Sequence, residues 1–198
     1  MSTAFLAGVV AGYGIAVPVG AIGVLIAGLS ARTSLRVGAA AGLGAATADG
    51  LYALAAVIGG AAIADLIVPV ATPLRRAAAV VLLALAAWTA ISALRSRHKG
   101  PVESARPVSA LRAYLGILGL TLLNPATVVY FGALVIGRGD AGGGVWFVAG
   151  AFLASASWQL LIAGGGSVVG RLLTGERGRL ITALVSSAVI ALLAVLLL

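Results

Sequence analysis

The chain has 198 residues, of which 62% are hydrophobic and 9% charged, with a net charge of +8 and no cysteine. Ordinary soluble domains carry roughly 25% charged residues, so this composition excludes one. The missing thiols exclude disulfides, zinc fingers and thiolate chemistry, and one histidine and one methionine leave few soft metal ligands.

A bilayer core about 30 Å thick takes about 20 apolar residues per helix. Six charge-poor runs satisfy this: 1–31, 37–64, 77–94, 113–137, 141–170 and 180–198. The first has no basic residue ahead of its apolar core, so it reads as a retained helix and not a cleaved signal. Near its middle stand Pro18 and Gly20, and a proline there removes a backbone donor and clashes with the preceding turn, which predicts a break. The second run is interrupted only by Asp49. The charged stretch 65–76, with Pro69 and Pro73, separates it from the third. The fourth carries Asn124-Pro125 near its centre, a second expected break, and the fifth carries Trp158 and Gln159 at mid-length. The runs are apolar all round, which argues against the alternating pattern of a membrane barrel. The expectation is therefore an all-α integral membrane protein.

Cations set the orientation. Loops one, three and five hold ten of the thirteen basic residues, among them Arg32, Arg36, Arg95, Arg112 and Arg171, and loops two and four hold Arg75, Arg76 and Arg138. The positive-inside rule makes the odd loops cytoplasmic and puts both termini outside. The basic excess is thus mainly an address, with some contact to anionic lipid, and not a nucleic-acid surface. His98, inside a basic cluster, reads as a solvated loop residue. Trp88 and Trp146, near helix ends, read as interfacial anchors.

Runs one and four open two groups of three. Pairing Pro18 with Pro125 sets an offset of 107 residues, and close to that offset Ala46-Thr47-Ala48-Asp49 faces Ala154-Ser155-Ala156-Ser157. An odd number of helices per half would invert the second half relative to the first. The expected architecture is a single membrane domain over 1–198: six transmembrane helices as two inverted three-helix repeats, about 1–98 and 108–198, with helices one and four interrupted. Gly8/Gly12, Gly38/Gly42 and Gly166/Gly170 are spaced to let helices approach closely.

At about 1.5 Å per residue, Asp49 lies roughly 18 Å into its run, near the midplane, together with Pro18, Asn124, Pro125, Trp158 and Gln159. A carboxylate there costs roughly 2.5 to 3.5 kcal/mol on insertion scales and faces a bundle interior or a wet cavity. Two readings are open. Asp49 binds a cationic substrate group or carries a coupling proton; alternatively it is a protonated structural carboxyl, hydrogen-bonded to Thr47, Tyr52 or a neighbouring helix. Pro18 and Asn124-Pro125 would free backbone groups for the charged ends of a zwitterion, or merely kink their helices. Trp158 and Gln159 would supply an aromatic wall and a hydrogen bond, or meet lipid. The glycine clusters precede no Lys-Ser/Thr pair, so no nucleotide loop is indicated. No nucleophile and base share a depth, so neither an enzyme nor a cofactor is expected.

The stretch from Gly12 to Asp49 contains Val17-Pro18-Val19-Gly20, then Arg32-Thr33-Ser34-Leu35-Arg36, then Gly-x-Gly-x-x-x-x-Asp from Gly42 to Asp49. It resembles the LysE/RhtB lysine and homoserine exporter family, and Leu122-Leu123-Asn124-Pro125-Ala126 resembles the second helix-breaking motif of that family. Val19-Gly20-Ala21 replaces the Pro-Gly-Pro form of many members. The resemblance implies a small secondary exporter of amino acids in the bacterial inner membrane, driven by an ion gradient and forming a homodimer. By motif position, Pro18, Asp49, Asn124, Pro125 and Trp158 would be its site residues. Two alternatives stand beside it. A divalent-cation exporter would need several ligands where the sequence offers one deep carboxylate. A scaffold subunit without transport would pair Asp49 with a foreign cation.

Overall fold

The computed structural model describes residues 2–17, 20–67, 71–96, 108–124, 127, 130–131, 144–172 and 176–195; Pro18, His98 and Pro125 lie outside this set. Most of the described residues are helical, with no strand among them. In chain order the helices are α1 (Ser2–Ala16), α2 (Ala21–Arg32), α3 (Leu35–Ile67), α4 (Ala71–Ser96), α5 (Ala110–Leu122), α6 (Gly144–Leu172) and α7 (Glu176–Val195). Thr127, Tyr130 and Phe131, beyond α5, are also helical.

The first apolar run is broken. α1 stops at Ala16, α2 starts after Gly20 in extended conformation, and the two helices are bent by 77°. α3 and α6 are each long and apolar enough to cross a membrane, and the bent α1–α2 pair makes a third candidate span. Two boundaries differ from the sequence reading. α3 runs through Asp65 to Ile67, and α4 begins at Ala71, taking in Pro73 and Arg76, so most of the stretch expected to be a loop is helix. Charge ends an apolar window without ending a helix: proline fits a first turn, and a long cationic stem can carry its head to the interface. Trp88 and Trp146 are 74% and 44% exposed, on the outside of the bundle.

Between helices in lipid, close packing replaces the hydrophobic effect as the attraction, and small residues supply it. The buried face of α3 is made of Ala41, Ala45, Ala46, Ala48 and Ala53. A Cβ on Gly8 would overlap the Phe147 carbonyl, and one on Gly12 the Ala151 carbonyl, so α1 lies directly on the backbone of α6. Gly166 and Gly170 meet Ala27 and Ala31 of α2 in the same way. The sequence offset between contacting residues is identical on both sides of the α1–α2 break, so the broken helix follows α6 in one register. Gly38 meets Ser30, and Gly42 meets Gln159. All three small-residue pairs noted in the sequence are therefore helix contacts.

The contacts also give directions. Gly8 with Phe147 and Gly12 with Ala151 make α1 parallel to α6. Gly44 with Tyr114, and Tyr52 with Leu122, make α3 parallel to α5. Gly42 with Gln159, and Gly50 with Phe152, make α3 and α6 antiparallel. The widest contacts are α1 on α6, α3 on α6, α3 on α5 and α4 on α7. α2 bridges two cores, with Ile26 in one shared by α3, α5 and α6, and Ala21 in one shared by α4 and α7.

Candidate functional site

Asp49 sits near the middle of the 33-residue α3 and is 3% exposed. Alanines flank it along the helix, and Gly50 on its other side admits Phe152 of α6. The carboxylate faces α6, where the Ser155 hydroxyl donates to Oδ2 at 2.6 Å. Ser155 is itself fully buried. Of the partners open to Asp49 on sequence grounds, the neighbouring helix supplies the one observed. Thr47 instead donates to the Leu43 carbonyl at 2.8 Å and accepts from the Tyr114 hydroxyl at 3.1 Å. Tyr52, three residues after Asp49 and so on the same helix face, donates to the Leu122 carbonyl.

That carbonyl belongs to the last turn of α5, where no intrahelical N–H can reach it. Tyr52 thus ties α3 to the end of α5 immediately before Asn124, whose backbone N–H turns back to the Thr121 carbonyl at 3.0 Å. Its ring stacks on Phe131 at 6.0 Å between centroids. Asn124 is half-buried and lies two residues beyond the carbonyl that Tyr52 holds.

α1 reaches the same level of α6. The Ser157 hydroxyl donates to the Ala154 carbonyl at 2.8 Å, so in its 2.9 Å contact with Tyr13 the phenol is the donor. Tyr130 donates to the Ala11 carbonyl at 3.0 Å and occupies the space beside Gly14. α1 ends three residues after Tyr13, and α2 then begins at Ala21 with Gly20 as an N-cap that offers its first backbone N–H groups no side-chain acceptor.

One turn beyond Ser155, on the same face of α6, come Trp158 and Gln159. Gln159 is 6% exposed, and its Cβ packs closely on Gly42 of α3, where an added Cβ would stand 3.1 Å from it. The Gln159 Oε1 and Trp158 Nε1 atoms are buried without a hydrogen-bond partner among the described residues.

The structure therefore brings Asp49 and Gln159 to the α3–α6 seam, with Trp158 next to Gln159 on α6, and sets Asn124 at the end of α5, tied to the seam through Tyr52. Pro18 and Pro125 fall outside the described residues, although the helix ends beside them are seen. Sequence reading missed Ser155 as a site residue, as well as Tyr13 and Tyr130. Ser155 stood in the segment paired with that of Asp49, which is the one signal that pointed to it. Among the described residues no three His, Asp or Glu side chains come together.

No curated protein and no solved structure matches the chain. A family model does match it, that of the LysE type translocator, over residues 14–198, which takes in every site residue named above except Tyr13 and Ala11. The family is one of membrane exporters of amino acids or related small molecules, in accord with the apolar helices and the resemblance carried by Gly12 to Asp49. The chain belongs to the LysE type translocator family.

Proposed function

We propose that the protein is a secondary exporter of amino acids, lysine and arginine or small neutral ones, that moves its substrate out of the cytoplasm by alternating access. The observation that carries this reading is Asp49: a carboxyl buried at mid-helix with one described partner, Ser155, in a seam flanked by the ends of α1, α2 and α5. A buried carboxyl without a fixed cation exchanges a proton against a substrate ammonium, each neutralising it in turn. The uncapped N-terminus of α2 carries a partial positive charge suited to the substrate carboxylate. Asn124 adds a neutral donor and acceptor, Trp158 and Gln159 line the seam, and Pro18 and Pro125 belong to the site by motif position.

The packing supports six spans arranged as two inverted halves. In such a plan the first helix of each half packs on the second helix of the other, as α1 does on α6 and α5 on α3. Second packs on second and third on third, as α3 does on α6 and α4 on α7. The parallel and antiparallel relations are those of an alternating chain. Under the 107-residue offset, Tyr52 and Gln159 occupy equivalent places. The halves rock about the seam in a bacterial inner membrane, with both termini outside. Purified protein in proteoliposomes loaded with an amino acid mixture will take up labelled amino acid by counterflow; absence of counterflow for every amino acid would refute the reading.

A further inference from the structure

Two glycines on the second helices of the proposed halves make the same contact. A Cβ on Gly44 of α3 would overlap the Tyr114 carbonyl and crowd the Leu118 nitrogen of α5, and one on Gly150 of α6 would do so to Phe5 and Val9 of α1. Each glycine thus meets a pair four residues apart on the first helix of the other half. Gly44 and Gly150 stand 106 residues apart, as Asp49 and Ser155 do, and each lies five residues before its member of that bonded pair. Packing therefore sets the counterpart relation one residue tighter than the prolines do. It pairs Tyr52 with Trp158, where the proline offset pairs Tyr52 with Gln159.

These counterparts are in different conditions. Tyr52 is eight residues past Gly44, and its phenol donates to the carbonyl of Leu122, eight residues past Tyr114. Trp158 is eight residues past Gly150, and the carbonyl eight residues past Phe5 is that of Tyr13. Trp158 also stands one turn beyond Ala154, which meets Gly12 of α1, and beside Ser157, which bonds the Tyr13 side chain. Its Nε1 is nevertheless buried without a partner among the described residues, and the Tyr13 carbonyl accepts from the Val17 N–H at 2.9 Å. α5 stops at Leu122, whereas α1 runs three residues past Tyr13. One helix end is short and gripped by an aromatic donor; the other is a turn longer and its aromatic donor is unmet. Buried donors of this kind are satisfied as a rule.

We infer that Trp158 is the latch of a second transport state, in which the last turn of α1 unwinds, the Tyr13 carbonyl passes from the Val17 N–H to Trp158 Nε1, and Tyr52 releases Leu122. The inference rests on the alternating-access reading above and names bonds that change in it. Inverted halves reach the opposite-facing state by trading conformations, so the arrangement at the end of α5 here becomes that of α1 after the switch. The Tyr13 carbonyl keeps one donor in both states, which leaves the two close enough in energy for a ligand to shift between them.

The test reads amide hydrogen exchange at the last turn of α1 in the full, substrate-free chain in lipid nanodiscs, where exchange follows the fraction of time that turn is open. Trp158→Phe keeps an aromatic ring and removes the donor, which disfavours the second state. Exchange at Val17 should slow about fivefold, the change expected when one of two states loses a hydrogen bond. Tyr52→Phe disfavours the state seen here and should speed exchange at Val17 by a similar factor, although Tyr52 bonds α5 and not α1. Unchanged or faster exchange in Trp158→Phe overturns the proposal and assigns Nε1 to a buried water. Unchanged or slower exchange in Tyr52→Phe overturns it as well. Either folded variant decides alone, so misfolding of one leaves the test intact. Counterflow by the unmodified protein judges the exporter reading separately: where it occurs, a wrong sign overturns the latch only, and where no amino acid exchanges both readings fall.

Discussion

The Ser155 hydroxyl donates a 2.6 Å hydrogen bond to Asp49 Oδ2, joining residues 106 apart in the chain across the antiparallel α3–α6 pair. The bond fixes which way the carboxyl points and joins the second helices of the two proposed halves at the level where α1 and α5 end. It makes Ser155 a positioning residue for the one carboxyl in the apolar runs.

Ser155→Ala should therefore lower the efficiency of amino acid exchange by about tenfold or more, the loss expected for a hydrogen bond to a charged group. Ser155→Thr keeps the hydroxyl and should recover most of it. Initial rates of counterflow over a range of substrate concentrations check both, and equal loss in the two variants would make the residue a packing element.

Helix contact on α6 gives a stability prediction with an internal control. Gly8→Ala places a methyl against the Phe147 carbonyl, which neither backbone can yield cheaply, and should cost about 1 to 3 kcal/mol. A Cβ on Gly164 meets nothing within 4 Å, so Gly164→Ala should be neutral or slightly stabilising, alanine being the better helix former. Thermal unfolding in detergent separates the two; a Gly8→Ala protein as stable as Gly164→Ala would contradict the packing.

Orientation is testable because the chain contains no cysteine, so a single introduced thiol reports one position. Thr3→Cys should react with an impermeant maleimide on intact cells that have only their inner membrane. Ser34→Cys, between α2 and α3, should react only after permeabilisation. The reverse pattern would invert the proposed topology.

Much of this site can be read in the residues alone, for identifiable reasons. A proline and a glycine inside an apolar run announce a break, and α1 and α2 part there. A lone aspartate in such a run is too costly to face lipid, and Asp49 is buried. The extents of α3 and α4 are not legible in the same way, because Asp65, Pro73 and Arg76 end a charge-free window while remaining compatible with helix. Nor is Ser155 distinguishable beforehand from Ser157: both are small hydroxyls on one helix, and only the register of α6 against α3 and α1 sends the first to Asp49 and the second to Tyr13. Tyrosines 13, 52 and 130 are equally silent, since their phenols reach partners on other helices that no local pattern encodes.

The central claim is that Asp49 carries the coupling proton, and Asp49→Asn tests it with least disturbance, because the amide oxygen can still accept from Ser155. Amino acid efflux from proteoliposomes should rise with an imposed inward proton gradient in the unmodified protein. In the Asp49→Asn protein, shown by its size-exclusion profile to be folded, efflux should no longer respond to the gradient. Gradient-driven efflux of equal size in the two proteins would contradict the account.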